Sequence, residues 1–421
     1  MGLRRGLKLF RTTMSGEKIY EGVFAVHKPQ DVSSAGVIRD LQRHFNPSKT
    51  FEPWISTERE RRDRESQFQR RRRRQQKVEV KIGHGGTLDP MATGVLVAGV
   101  GKGTKFLNNF LGCTKSYETV ILFGAETDTY DRLGKIVRRG PYEHITREAV
   151  EKALDQFRGK IMQRPPIFSA LKVQGKPMYQ YAREGKEIPI EIKERPVEVN
   201  EMRIVEWYEP GTHEYKWPEV EAAAEEKEVA EKLLAQDDTM SSVAPVEGVE
   251  PTGQTEQQDS STKRKSPPLA ESPKEGAADG AASPAAEAAP AKKQKVSAEG
   301  EETATTSEQA STDAPEAAEE STSSSQTKEN ASQPQPAAVK IVMTVTSGFY
   351  VRTFAHDLGR AVGSCGLMSS LIRTRQGDFE LDPEKVLEYR DLEAGEEVWG
   401  PKVKGFLDQW EKKRAAEEGH N

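Results

Sequence analysis

The long stretch from Ala222 to Ala338 limits most strongly what this chain can fold into. It contains no Phe, Tyr or Trp and consists mainly of Ala, Glu, Ser, Thr, Pro and Gln. Such a segment cannot bury enough apolar surface to offset the entropy lost on ordering. The mean hydropathy of −0.74 over 421 residues is likewise too low for a fully packed chain. We therefore predict that residues 222–337 form a disordered, acidic, low-complexity insertion.

This insertion interrupts one folded domain, because strand-like runs and related motifs occur on both sides of it. A long insertion in a surface loop costs little closure entropy, roughly 0.6 kcal/mol per doubling of its length. The predicted organisation is a basic leader at 1–21, one domain formed by 22–221 and 338–390, an arginine-rich insertion at 46–77, the acidic insertion, and a C-terminal tail at 391–421.

The net charge of −5 hides an uneven distribution. The acidic insertion carries 23 acidic and 10 basic side chains, about −13, so the remainder of the chain carries about +8. A basic folded part suits a polyanion such as RNA or DNA. Surplus lysines that keep the domain soluble would give the same charge, so both interpretations stay open at this point.

Hydrophobic periodicity predicts an α+β fold around a largely antiparallel sheet, since strands and helices mix without regular βαβ alternation. Ser33 or Ser34 should cap a helix that carries Val37, Leu41 and Phe45. Two further helices are predicted at Thr146–Phe157 and Thr353–Val362, and strands at Gly22–Val26, Ser116–Phe123, Ile188–Ile192, Val197–Trp207 and Val339–Thr346.

Nine arginines fall between Arg59 and Arg74, within a charged segment from Asn46 to Lys77. One interpretation is a solvated, partly helical insertion. The other is an auxiliary contact to an RNA backbone or a localisation signal.

Cysteine content and apolar runs indicate the compartment only coarsely. Cys113 and Cys365, with no CxxC spacing, predict neither a disulfide framework nor a zinc site, as expected of a reduced intracellular protein. No apolar run approaches the roughly 18 residues of a membrane span. The basic residues 1–16 fit a mitochondrial presequence or a frayed terminus, and 263–265 and 292–295 are weak nuclear-type clusters. Nucleus and mitochondrion are both retained as predicted compartments.

A glycine-dense loop, Gly83–Leu96 (GHGGTLDPMATGVL), contains a single acid, Asp89. Its glycines would let the backbone approach a ligand closely, and Pro90 would restrict Asp89 to extended conformations. From the residues alone, Asp-Pro is also an ordinary turn pair. The sequence contains no phosphate-binding, dinucleotide, metalloprotease or hydrolase motif, so we predict a reaction without metal or cofactor.

This loop resembles the catalytic loop of the TruB family of pseudouridine synthases. Further segments resemble the other motifs of that family, in family order, and together they cover nearly all of the chain outside the insertions. They are Gly22–Ser34, with Asp31 where a glycine is usual, Lys115–Tyr117, Phe123–Gly134, Ser169–Gly185, Ser347–Thr353 and Leu371–Phe379.

The resemblance implies the pseudouridine synthase fold and a role for each matching residue. Asp89 would be the essential aspartate, Arg352 its ion-pair partner, and Tyr117 the ring that stacks on the target base. Tyr350 and Leu371 would line the pocket, His84 would lie against the flipped nucleotide, and Lys172, Lys176 and Arg183 would contact the tRNA T-arm. Without the motifs, structural roles in the sheet core or at a helix start would explain Tyr117, Arg352 and Leu371 equally well.

The implied activity is isomerisation of the T-loop uridine, position 55 of tRNA, to pseudouridine by a monomer that flips the base out of the RNA. An ionised carboxylate could attack C1′ or remove the C2′ proton to give a glycal, and both routes stay open. The expected partner is the tRNA T-arm, messenger RNA is left open as a second substrate, and no membrane partner is expected.

Two alternatives remain open. A guide-RNA-dependent ribosomal RNA pseudouridine synthase would share the catalytic loop, but such enzymes carry a C-terminal PUA domain, and only about forty residues follow Phe379. A tRNA-folding chaperone would bind T-arms without needing catalysis. The segment SALKVQGKPMYQYAREG, which begins at Ser169, favours the stand-alone tRNA enzyme.

Overall fold

The computed structural model describes residues 16–67, 77–184, 186, 188–190, 192–224, 227 and 336–419. Several predicted features lie outside these residues. They are the first fifteen residues of the leader, the arginine run at 70–74, both nuclear-type clusters, and the predicted disordered insertion apart from 222–224, 227, 336 and 337.

The described residues alternate between strands and helices. The strands are β1 (Gly22–Lys28), β2 (Ile82–His84), β3 (Thr93–Val100), β4 (Lys115–Phe123), β5 (Ala125–Thr127), β6 (Ile136–Arg139), β7 (Gly159–Gln163), β8 (Lys172–Val173), β9 (Lys176–Pro177), β10 (Arg195–Tyr208), β11 (Ala338–Val345), β12 (Gly366–Gln376), β13 (Phe379–Glu380) and β14 (Val386–Leu387). The α-helices are α1 (Ser34–Phe45), α2 (Glu52–Asp63), α3 (Leu107–Gly112), α4 (Arg147–Leu154), α5 (Met178–Arg183), α6 (Val351–Ala361), α7 (Tyr389–Glu393) and α8 (Glu396–Glu418). Two 3₁₀ helices, Gly101–Phe106 and Asp155–Phe157, connect neighbouring elements.

A ten-stranded sheet organises the fold. Its strand order is β14-β1-β3-β12-β4-β11-β10-β7, with β2 on β3 and β13 on β12. Among the described residues, only the β1–β14 and β3–β12 strand pairings of this sheet are parallel. The predicted α+β class with a largely antiparallel sheet is therefore confirmed. Strand β11, which follows the acidic insertion, lies between β4 and β10, so both halves of the chain contribute to one sheet.

Helix capping and apolar spacing place α1 and α4 as the sequence predicts. Ser33 caps α1 by accepting a hydrogen bond from the Gly36 amide at 3.0 Å, and Val37, Leu41 and Phe45 on the opposite side are buried. Thr146 caps α4 in the same way, accepting from the Ala149 amide at 3.2 Å.

Among the hydrophobic clusters of the described residues, the two with the most members lie on the sheet. The first packs α4 and α6, through Leu154, Phe354 and Leu358, against β4, β10 and β11. The second packs α1, α2 and α8 against β1 and β3, and its aromatic centre is the stack of Phe45 on Trp399, whose ring centroids lie 4.8 Å apart.

The structure corrects the predicted C-terminal tail. Residues 391–421 include α8, whose Trp399, Val403 and Leu407 are almost fully buried in the second cluster. Their spacing of four residues places them on one helix face. The many charged residues of the segment mask this narrow apolar stripe in the sequence.

The predicted arginine-rich insertion also begins within the core. Phe51, Trp54 and Ile55 are buried at the start of α2, whereas Arg59 and Arg61 are exposed farther along the helix. The solvated, helical interpretation therefore describes the second half of α2 and not the segment from Asn46 onward.

The strand predicted at Ile188–Ile192 is wrong. Its described residues are irregular, and Ile190 is 52% exposed. Pro189 has no amide hydrogen for a sheet ladder, which explains why no strand forms despite the alternating isoleucines.

No helix in the described part of the chain combines the length and the apolar character needed to span a bilayer.

Candidate active site

The glycine-dense loop connects β2 to β3, and buried polar side chains fix its backbone. The guanidinium of Arg373, 1% exposed, donates to the carbonyls of Val95 at 2.7 Å and Gly86 at 3.2 Å. The Gln376 side-chain amide donates to the Gly85 carbonyl at 2.6 Å. These donors replace the ladder partners that an irregular buried loop lacks, so the loop is held rigidly before any ligand binds.

Lys28, at the end of β1, also binds backbone carbonyls of the loop. Its fully buried ammonium donates to the carbonyls of Pro29, Pro90 and Ala92 at 2.8, 2.9 and 2.6 Å. Burial lowers the pKa of Lys28 to about 8, although the negative charge of Asp89 opposes this shift. Lys28 therefore brings both positive charge and three hydrogen bonds to the backbone that carries Asp89.

Gly94 shows why the loop needs a glycine where β3 begins. Its φ is +106°, and a Cβ atom there would lie 2.3 Å from the carbonyl oxygen of Arg373. The two residues are register partners in the parallel β3–β12 pairing. A side chain at this position would push β12 away from the loop that Arg373 supports.

Asp89 and Arg352 form a two-bond ion pair. Arg352 Nε donates to Asp89 Oδ2 at 2.8 Å, and Nη2 donates to Oδ1 at 3.1 Å. The Asp89 side chain is 32% exposed, against 8% for Arg352. The carboxylate is thus accessible on one side, and each oxygen keeps a lone pair for a ligand because the guanidinium engages only one.

Other groups fix Arg352 itself, at the start of α6. Its Nη1 donates to the Thr129 carbonyl at 3.2 Å and its Nη2 to the Phe168 carbonyl at 2.8 Å. Asp131 also lies nearby, with Oδ2 3.9 Å from Arg352 Nε. Burial raises the pKa of Asp131, while the charge of Arg352 and a hydrogen bond from Thr129 oppose that shift. A guanidinium held on several sides can orient Asp89 without itself moving.

Two of the predicted pocket residues belong to the hydrophobic cluster that includes Leu88, and a third, Tyr350, precedes α6. Tyr117 and Leu371, on β4 and β12, belong to the same buried cluster as Leu88, which precedes Asp89 in the chain. The backbone of Tyr350 exchanges two hydrogen bonds, at 2.8 and 3.0 Å, with the Gln163 side chain. Burial raises the pKa of Tyr350, and the charges of Arg352 and Asp89 also act on it.

His84 lies at the end of β2, where it pairs in register with Ala98 of β3. Burial and the positive charge of Arg373 lower the pKa of His84, so the ring is favoured in its neutral form. Its Nδ1 is buried and has no hydrogen-bond partner within the described part of the chain.

The residues expected to contact the T-arm lie on the small β8–β9 hairpin and α5. Lys172 is exposed on β8. Lys176 is instead engaged within the chain, by Glu184 at 2.6 Å and by the ring of Tyr181 at 4.4 Å. Arg183 ends α5, and its side chain lies outside the described part of the structure.

Lys28, Asp131 and Arg373 are site residues that the sequence analysis did not single out. Each lies inside a motif that was identified, so the segment was visible although the individual role was not. Lys28 precedes a proline at a strand end. Asp131 lies in a turn and Arg373 in a strand, where solvated or core-flanking roles are more usual.

Within the described residues, no group of three or more His, Cys, Asp or Glu side chains could hold a metal ion.

Comparison with known proteins identifies the family. A family model described as TruB family pseudouridylate synthase (N terminal domain) matches residues 71–224. The tRNA pseudouridine synthase 4 of Schizosaccharomyces pombe is 34% identical over 378 residues, which cover 89% of this chain and 83% of that protein. This chain belongs to the TruB family of pseudouridylate synthases.

A second relative and a solved structure are also similar to this chain. The tRNA pseudouridine synthase 4 of Saccharomyces cerevisiae is 29% identical, covering 92% of this chain and 85% of that protein. Among solved structures, a chain of a Cbf5-Nop10-Gar1 complex superimposes with a TM-score of 0.40 and 15% identity, covering 91% of this chain and 58% of that one. So distant a likeness does not bear on substrate choice.

Proposed function

We propose that this chain converts the T-loop uridine of tRNA, position 55, to pseudouridine, with Asp89 as the catalytic carboxylate. The observation that carries the proposal is the accessible Asp89 carboxylate, which accepts hydrogen bonds from both Nε and Nη2 of Arg352. Two relatives that match most of the chain bear the name tRNA pseudouridine synthase 4, which favours a tRNA substrate over a guide-dependent ribosomal one.

The reaction breaks the N1–C1′ bond of uridine, turns the uracil, forms a C5–C1′ bond and releases the C5 proton. Asp89 would act as an anion, either by attacking C1′ or by removing the C2′ proton. Arg352 would keep the carboxylate charged and aimed, because a fixed guanidinium costs no reorganisation during the reaction. The hydroxyl of Tyr117 would help to remove the C5 proton while its ring supports the base.

Base flipping requires that the protein grip the RNA around the target. Neutral His84, which is half-buried at the end of β2, would lie against the flipped nucleotide or its neighbour. Lys172 would contact the T-arm backbone, whereas Lys176 would act mainly by bracing the hairpin through Glu184.

Tritium release tests this proposal directly. The purified chain would be incubated with a T-arm stem-loop labelled with tritium at C5 of its uridines, alongside an identical RNA in which cytidine replaces the target uridine. We expect stoichiometric release of one tritium from the first RNA only. Equal release from both RNAs, or none from either, would refute the proposed site of modification.

A further inference from the structure

The turn between β5 and β6 carries a residue in a conformation that side chains rarely adopt. Tyr130 has a φ of 62°, although it is not a glycine, and its side chain is only 4% exposed. The left-handed region brings Cβ close to the backbone, so a tyrosine stays there only when surrounding contacts compensate.

This conformation sets the direction of a carbonyl that binds Arg352. The φ of Tyr130 rotates the preceding peptide group, and the carbonyl of that group, on Thr129, accepts a hydrogen bond from Arg352 Nη1 at 3.2 Å. On the other side, the Tyr130 carbonyl accepts from the Met368 amide at 3.0 Å. A relaxation of Tyr130 to negative φ would therefore withdraw one support from the guanidinium that holds Asp89.

His356 holds the Tyr130 ring in place. The two rings stack with centroids 4.2 Å apart and an angle of 24° between their planes. His356 is 3% exposed, and its Nδ1 lies 3.5 Å from Oε2 of Glu126, which in turn accepts from Arg138 at 2.8 Å. The imidazole is thus confined between the tyrosine ring and a fully buried carboxylate.

One helix joins the two contacts. His356 lies four residues after Arg352 on α6, so both side chains project from the same face, one turn apart. Arg352 contacts the turn through the Thr129 carbonyl, and His356 contacts it through the Tyr130 ring. The turn is therefore bound to α6 by two side chains that lie one helical turn apart.

We propose that His356 is a positioning residue of this active site: by stacking on Tyr130 it stabilises the left-handed turn that directs the Thr129 carbonyl to Arg352. It acts through Arg352 on the orientation of Asp89 and does not touch the RNA. The expected change in reaction rate rests on the proposed function. The expected change in the surroundings of Arg352 does not.

The test compares His356→Leu, which preserves volume but loses the aromatic face, with His356→Phe, which preserves stacking. We expect His356→Leu to lower the single-turnover rate about tenfold with T-arm affinity unchanged, and His356→Phe to restore most of the loss. In a Tyr130→Gly background, where glycine adopts positive φ unaided, His356→Leu should have almost no further effect on the rate.

A substrate-free measurement separates this inference from the proposed function. The NMR resonance of the Arg352 Nε–H group should shift in His356→Leu and return toward its wild-type position in His356→Phe. An unchanged resonance in His356→Leu would overturn the inference, even if the RNA substrate proved to be different. An equal rate loss with and without the Tyr130→Gly substitution would overturn it too, because it would show that His356 acts independently of the turn.

Discussion

Arg352 and Asp89 lie 263 residues apart in the chain, and Nε and Nη2 of Arg352 donate to the two oxygens of the Asp89 carboxylate, at 2.8 and 3.1 Å. The acidic insertion separates them in sequence, yet β11, which leads from the insertion toward α6, pairs with β4 in the central sheet. The sheet is thus what brings the carboxylate of one half to the guanidinium of the other.

We expect Arg352→Lys to lower the rate of isomerisation about a hundredfold, although it preserves the charge. A lysine cannot donate two parallel hydrogen bonds to Asp89, nor reach the carbonyls of Thr129 and Phe168 at once. Binding of a T-arm stem-loop should change less than threefold. The matched control is Arg203→Lys, at a 60% exposed position on β10, which should behave as wild type. A parallel loss of affinity and rate in Arg352→Lys would instead identify Arg352 as an RNA-backbone contact.

From the buried position of Lys28 we expect activity and stability to respond in opposite directions to rising pH: the reaction rate should fall, and the contribution of Lys28 to the free energy of unfolding should rise. Its pKa of about 8 in the folded chain means that the ammonium becomes an amine above that pH. An amine has only two N–H donors for the three carbonyls of Pro29, Pro90 and Ala92, so the catalytic loop should loosen and the rate should fall. Single-turnover rates measured from about pH 7 to pH 10 would show this alkaline limb.

The stability effect of the same group has the other sign. In the unfolded chain Lys28 retains its proton up to its ordinary pKa of 10.5, so folding releases a proton between about pH 8 and that value. The contribution of Lys28 to the free energy of unfolding therefore rises with pH across this window. Urea unfolding of the wild type and of Lys28→Met should show a pH-dependent difference with that slope. A difference that stays flat would contradict the buried, cationic assignment.

Much of this architecture could be predicted from the sequence, and the exceptions have physical causes. Local signals sufficed for α1, with its Ser33 cap, and for β4 with its β-branched residues. Contacts between distant parts of the chain could not be predicted in this way. No local signal shows that Trp399 packs on Phe45, or that Lys28 reaches the carbonyls around Pro90. The role of Asp89 came from a motif, because an Asp-Pro pair alone is most often a turn.

We expect Gly94→Ala to destabilise the chain by about 2 kcal/mol or more, because both its positive φ and the nearby backbone of Arg373 exclude a Cβ. Gly112→Ala is the matched control, since a Cβ there meets nothing within 4 Å. Urea unfolding monitored by circular dichroism would compare the two. Equal stability of both variants would show that β3 and β12 can separate at little cost.

Deletion of residues 228–335, replaced by a flexible Gly/Ser linker, should leave the rate on a T-arm stem-loop within about twofold of wild type. The deletion should not extend to Ala222 or Ala337, because both are buried, at 7% and 2% exposure. A matched variant that also lacks these two flanks should lose stability. A large fall in rate for the shorter deletion would show that the insertion takes part in RNA handling.

The most direct test of the catalytic assignment is Asp89→Asn, which preserves the shape of the side chain and removes its charge. The measurement is tritium release from a T-arm stem-loop labelled at C5 of uridine, with affinity for the same RNA determined in parallel. We expect no detectable release and an affinity within about tenfold of wild type, because phosphate contacts dominate binding whereas one carboxylate dominates the chemistry. Release above a few per cent of the wild-type rate would contradict the role of Asp89.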